Sequence, residues 1–132
     1  MPRRSRSIRS LVLIAALVLG ALAREAGAQG SDFTQLLGNW VRPDGGYTIT
    51  IRGVDSGGKL QASYANPNPL PFSRAEVSRD GKTIKLFFEL RAGGYNGSTY
   101  TLTYDPATDR LAGVYYQAVQ RKEYDVVFQR AK

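Results

Sequence analysis

Cysteine and histidine are both missing from this chain of 132 residues, and methionine and tryptophan occur once each. Without a thiol there is no disulfide framework, no cysteine nucleophile and no thiolate metal site. Without an imidazole there is no Ser-His-Asp arrangement. Carboxylates carry what acid–base chemistry remains. Glu89 is the best single base, and Glu123 or Asp125 is its conceivable partner, but no spacing argues for a working pair. Asp105 and Asp109 bracket Pro106 in a turn-forming sequence, which accounts for them without calcium. No cofactor and no metal is expected.

A long apolar run is also missing. Leu11 to Ala23 is the only such stretch, and it falls short of the roughly 17–25 residues that a span requires. It follows Arg3, Arg4, Arg6 and Arg9 and precedes Ala26-Gly27-Ala28, the order of basic, apolar and small residues found in a secretion signal. The expectation is a signal peptide over 1–28, cleavage near Ala28, and a periplasmic or secreted product with no membrane span. The absence of cysteine rules out a lipid-anchored form. The formal charge of +7 is largely the leader's. Removing Arg3, Arg4, Arg6, Arg9, Arg24 and Glu25 leaves about +3 on residues 29–132, with both signs interspersed. A basic stripe of the kind that binds nucleic acid is not present.

What remains is one small domain, 29–132, built from short alternating segments. Turn-forming clusters fall at Asp44-Gly45-Gly46, Asp55-Ser56-Gly57-Gly58, Asn66-Pro67-Asn68-Pro69, Asp80-Gly81, Gly93 to Gly97, Asp105 to Asp109, and around Gln120-Arg121. Seven connections imply eight strands. Tyr47, Ile49 and Ile51 share one face, as do Leu60, Ala62 and Tyr64, then Ile84, Leu86, Phe88 and Leu90. Tyr100, Leu102 and Tyr104 alternate with Thr99, Thr101 and Thr103, and Tyr124, Val126 and Phe128 with Asp125, Val127 and Gln129. Helical periodicity is confined to a single turn at Phe33 to Leu37. The pattern predicts an all-β, eight-stranded antiparallel up-and-down barrel, with a two-sheet sandwich as the rival.

Gly38-Asn39-Trp40 opens the first strand and Arg130 closes the last. This pair predicts that the first and last strands meet, with the guanidinium stacked on the indole. Trp40 and Arg130 are read as a structural barrel closure, the alternative being Trp40 as a ligand platform. Tyr95 lies in a glycine-flanked loop where strand preference does not explain it, so it is a candidate contact. Glu89 and Arg91 share a face opposite Leu90. Pointing inward, beside Tyr100 or Gln117, they would be a costly buried pair with a functional reason; pointing outward they are an ordinary cross-strand pair. Asn66-Pro67-Asn68-Pro69-Leu70-Pro71 is either a rigid crossover or a stiff rim that docks a partner.

Gly38-Asn39-Trp40, the strand Gly58-Lys59-Leu60-Gln61-Ala62-Ser63-Tyr64 and the basic residue ending the last strand resemble the calycin group of lipocalins, fatty-acid-binding proteins and avidins. The resemblance implies a barrel with an internal ligand. It sets Tyr64 at the strand position where avidins hold a ureido group with tyrosine. Avidins ring biotin with several tryptophans; one tryptophan cannot do so. The expected ligand set is Tyr64, Asn66, Glu89, Arg91, Tyr95, Tyr100 and Gln117, for a small hydrophobic or amphipathic molecule bound without being transformed. The alternatives are a module that binds a cell-envelope protein, such as an enzyme inhibitor, and a minimal barrel isomerase or cyclase using Glu89. A binder predicts a hollow, partly polar interior; a protein-binding module predicts a packed one with Tyr95 exposed.

Overall fold

The computed structural model describes residues 33–132, so the signal-peptide expectation lies outside the described residues. Among them, no helix is long and apolar enough to cross a membrane. After a single 3₁₀ turn at Thr34–Leu36 come nine strands: β1 Gly38–Val41, β2 Thr48–Val54, β3 Leu60–Ala65, β4 Pro69–Leu70, β5 Phe72–Asp80, β6 Thr83–Leu90, β7 Ser98–Asp105, β8 Arg110–Gln117 and β9 Lys122–Arg130. Every pairing between strands is antiparallel. They form one sheet in the order β4-β3-β2-β1-β9-β8-β7-β6-β5.

The first and last long strands meet as the sequence predicts. Trp40 pairs with Arg130 and Val41 with Gln129. On the far side the sheet nearly closes on itself: Lys59 bridges to Glu76, and the Val77 N–H donates to the Gly58 carbonyl at 2.8 Å. Register shifts between Ile51 and Gly53 in β2, and between Phe72 and Arg74 in β5, mark irregularities of the bulge type in these strands. This is a nearly closed barrel, not a sandwich.

The strand count is nine rather than eight. The ninth is β4, two residues of the proline-rich segment, pairing Leu70 with Tyr64 and Pro69 with Ala65. Pro71, which has no N–H to donate, separates β4 from β5 along the chain.

Alternation places the apolar face of each strand inside. Trp40, Ile49, Ile51, Leu86, Phe88, Leu90, Leu102, Leu111 and Phe128 are all buried to within about one per cent. These side chains fill the barrel's axis. A hairpin meander returns every second connection to the same end, so inward tyrosines at the start of β2, end of β3, start of β7, end of β8 and start of β9 converge at one mouth.

Candidate functional site at the mouth of the barrel

The two ends of the barrel differ in what their polar groups have left to offer. At the end holding Trp40, the indole N–H donates to the Leu36 carbonyl at 2.9 Å, and the Arg130 guanidinium lies 4.2 Å from the ring centre. Arg130 donates to the Leu37 carbonyl at 2.7 Å, to the Gln35 carbonyl, and to both Asp109 oxygens at 2.8 and 3.0 Å. Tyr104 donates to Asp109 at 2.9 Å and sets its ring edge-on to Trp40 at 6.1 Å. The bond from Arg130 holds the Asp109 carboxyl below the usual carboxylate range, and the bond to Asp109 raises Arg130. This end is occupied by its own residues, as expected of a structural closure.

The opposite end collects Arg42, Tyr47, Tyr95, Tyr115, Gln117, Gln120 and Tyr124 around an open depression of about 490 Å³, with the Gly94 backbone at its edge. Beneath it Tyr100 and Tyr64, both buried, meet hydroxyl to hydroxyl at 3.0 Å. Tyr100 stacks on Tyr115 at 4.6 Å, and Tyr115 on Tyr124 at 6.2 Å. On the other side Tyr47 stacks on Tyr64 at 6.4 Å. Arg42 stands between the two stacks, its guanidinium 4.1 Å from the centre of the Tyr47 ring and 5.9 Å from that of Tyr115.

Arg42 is only 8% exposed. It donates to Tyr100 at 3.2 Å and to both oxygens of Asp44 at 2.9 and 2.6 Å. Burial acts to lower its pKa, but the bonds to Asp44 and Tyr100 outweigh that and raise it, so Arg42 stays charged. The bond from Arg42 holds Asp44 below the usual carboxylate range. Burial pushes the Tyr100 phenol up to about 12, against the opposing bonds from Tyr64 and Arg42, and pushes Tyr64 up as well. Both phenols are therefore neutral hydrogen-bonding groups at neutral pH.

Local chain geometry fixes the rim. The loop after β6 turns back on itself: the Tyr95 N–H donates to the Ala92 carbonyl at 2.9 Å and the Gly97 N–H to the Leu90 carbonyl at 2.7 Å. Gly97 has φ +85°, open to glycine and strained for most other residues. This folds half-buried Tyr95 over the mouth, where its ring meets Tyr64 edge-on at 6.5 Å and its hydroxyl accepts from the Asn66 amide. Gln117 donates to the Gly94 carbonyl at 2.8 Å from the other side.

Of the seven expected ligand contacts, Tyr64, Asn66, Tyr95, Tyr100 and Gln117 are thus brought together at one end. Glu89 and Arg91 are not. They take the outward alternative: Ser73 donates to Glu89 at 2.9 Å and Arg91 to Glu89 at 3.2 Å on the outer wall. The reason is parity, since Phe88 and Leu90 on either side of Glu89 are fully buried. The Ser73 bond, then that of Arg91, lowers Glu89, so it stays ionised outside the barrel. Asp105 is spent within its hairpin, accepting from the Ala107 N–H at 3.0 Å and the Thr108 hydroxyl at 2.9 Å.

Arg42 is the residue of this candidate site that the sequence reading did not single out. The signal was present: it stands two residues after Trp40, so the same alternation that buries the indole turns Arg42 inward. A larger depression, about 700 Å³, lies on the outer wall among Lys59, Arg74, Glu76, Lys85 and Phe87. Its charges are exposed, with Arg74 paired to Glu76 at 3.1 Å and Lys85 to Asp80 at 3.3 Å, which is ordinary surface chemistry. The mouth is the better site. No family model, no curated protein and no solved structure matches the chain.

Proposed function

We propose that this chain is an exported, calycin-like barrel that holds a small amphipathic molecule at its tyrosine-lined mouth and does not transform it. The observation that carries the reading is the 490 Å³ depression in which tyrosines on two sides face a buried, charged Arg42. Tyrosine offers wide apolar contact and a polar tip at small entropic cost, which suits adaptable recognition. The hollow interior expected of a binder is not found, because Trp40, Leu86, Phe88, Leu102 and Phe128 pack the axis, so the reading moves the ligand from the interior to the rim. Export rests on the basic, apolar and small-residue order of residues 3–28.

Native mass spectrometry of the protein purified from the organism that makes it tests this. A retained mass of small-molecule size, lost in the double variant Tyr47→Ala/Tyr115→Ala, is the expected result. A bare protein mass under conditions that preserve weak complexes would contradict it. One observation favours a second reading. The packed axis and the bonding of Tyr95 to Asn66 join the glycine loop and the proline segment into one rim, a form that also suits an envelope protein as partner. Retention of a protein rather than a small molecule, abolished by Tyr95→Ala, would select that reading.

A further inference from the structure

The mouth's polar groups are unevenly spent. Three of the five N–H groups of Arg42 are engaged, two on Asp44 and one on Tyr100. Gln117 Oε1 accepts from the Gln120 N–H at 3.0 Å, and Gln120 Oε1 from Tyr124 at 2.9 Å. The Gly94 carbonyl accepts from Gln117, and the Tyr95 oxygen from Asn66. Those amide and carbonyl acceptors are thus already used, while the Gln120 amide N–H groups, the Tyr95 hydroxyl proton and two N–H groups of Arg42 remain as donors, beside the Tyr47, Tyr115 and Tyr124 hydroxyls that serve in either role. A ligand that brings acceptors matches these donors.

Charge points the same way. Arg42 is the one charged residue that is buried among the described residues. Burying a charge is costly, so the presence of Arg42 there calls for a reason. Its partner Asp44 is a poor fixture: its side chain is 60% exposed, on a turn continued by Gly45 and Gly46. The guanidinium also lies 4.1 Å from the Tyr47 ring centre and 5.9 Å from that of Tyr115, so a flat group beside it has aromatic rings within reach.

We propose that the mouth selects a planar ligand bearing a carboxylate, anchored by Arg42, and that Asp44 is the internal carboxylate this ligand displaces. This inference rests on the mouth being the binding site. The ligand's carboxylate is acceptor-only and matches the guanidinium edge bidentately, as the Asp44 oxygens do now.

Benzoate and its neutral isostere benzamide are the probes, titrated into the ¹⁵N-labelled protein and followed at the Arg42 Nε–H signal and the Tyr47 and Tyr115 rings. The inference expects benzoate to shift all three, with benzamide about tenfold weaker because it lacks the charge-assisted bond. Asp44→Asn removes the competing charge and should tighten benzoate about two- to five-fold, the equivalent of an exposed ion pair. Arg42→Gln should erase the preference between the probes; if that variant does not fold, the Asp44→Asn comparison on its exposed turn decides. Equal binding of the two probes, or weaker benzoate binding in Asp44→Asn, overturns the carboxylate inference and leaves the mouth reading standing. Absence of any shift overturns the inference as well, whereas the mouth reading falls only if no mass is retained from the native source.

Discussion

Arg130 donates to two backbone carbonyls and to both oxygens of Asp109, and its plane covers the Trp40 indole. Its counterpart at the mouth, Arg42, has two N–H groups unspent and a counter-ion that faces solvent. Both carboxylates, Asp44 and Asp109, are held below the usual carboxylate range by their arginines. A depressed carboxyl stabilises the fold fully above its unfolded pKa of about 3.9, and that contribution is lost as pH falls through the lower folded value. Stability should therefore fall below about pH 4. Asp109→Asn tests this cleanly, because Asn tolerates the left-handed φ of +53° that Asp109 adopts. The variant should lose up to about 1 kcal/mol at pH 7, and the gap to the parent should narrow in acid. Urea denaturation at pH 7 and pH 3 measures both; a gap that widens in acid would contradict the assignment.

At the scale of the strand, alternation decided most of what could be read in advance. Ile84 to Leu90 and Tyr100 to Tyr104 betray their faces because large apolar groups alternate with threonine, lysine or glutamate, Phe87 being the one exception. The two-residue β4 was hidden because prolines flank it and no alternation fits in so short a span. Gly113 was hidden for another reason. Most glycines here mark turns, but Gly113 sits mid-strand in β8, opposite Leu102 and Val126. A Cβ added there would lie 2.0 Å from the Thr101 carbonyl oxygen and 3.0 Å from the Leu102 Cα. Neither is a flexible side-chain tip, so the backbone itself must move. Gly113→Ala should cost about 1–3 kcal/mol by overpacking, with the loss of amide protection concentrated on β7 and β8. Full stability in that variant would mean that the strands are not so closely apposed.

At the scale of the molecule, the sequence located the closure and much of the mouth. The rest of the site needed the tertiary arrangement. Trp40 and Arg130 were legible because a lone tryptophan and a terminal arginine mark the two strands that meet. Tyr64, Asn66, Tyr95, Tyr100 and Gln117 were individually visible, but only the meander shows that alternate connections bring them to one end. Glu89 and Arg91 drew notice as charges, and the parity of β6 turns them out. Arg42 drew none, although its spacing from Trp40 turns it inward, because an arginine on an inward position shows its role only once its partners, Tyr100 among them, are in place.

The central claim is that the barrel has a fixed structural end and a binding end. Trp40 gives the single indole N–H signal of the fold, bonded to Leu36 at 2.9 Å, and so reports on the fixed end alone. The most direct test is to add the small-molecule extract of the producing organism to labelled protein and watch that signal beside the rings of Tyr47, Tyr115 and Tyr124. The account predicts that the tyrosine signals move while the indole signal stays in place. Movement of the Trp40 signal with the tyrosines unchanged would contradict it.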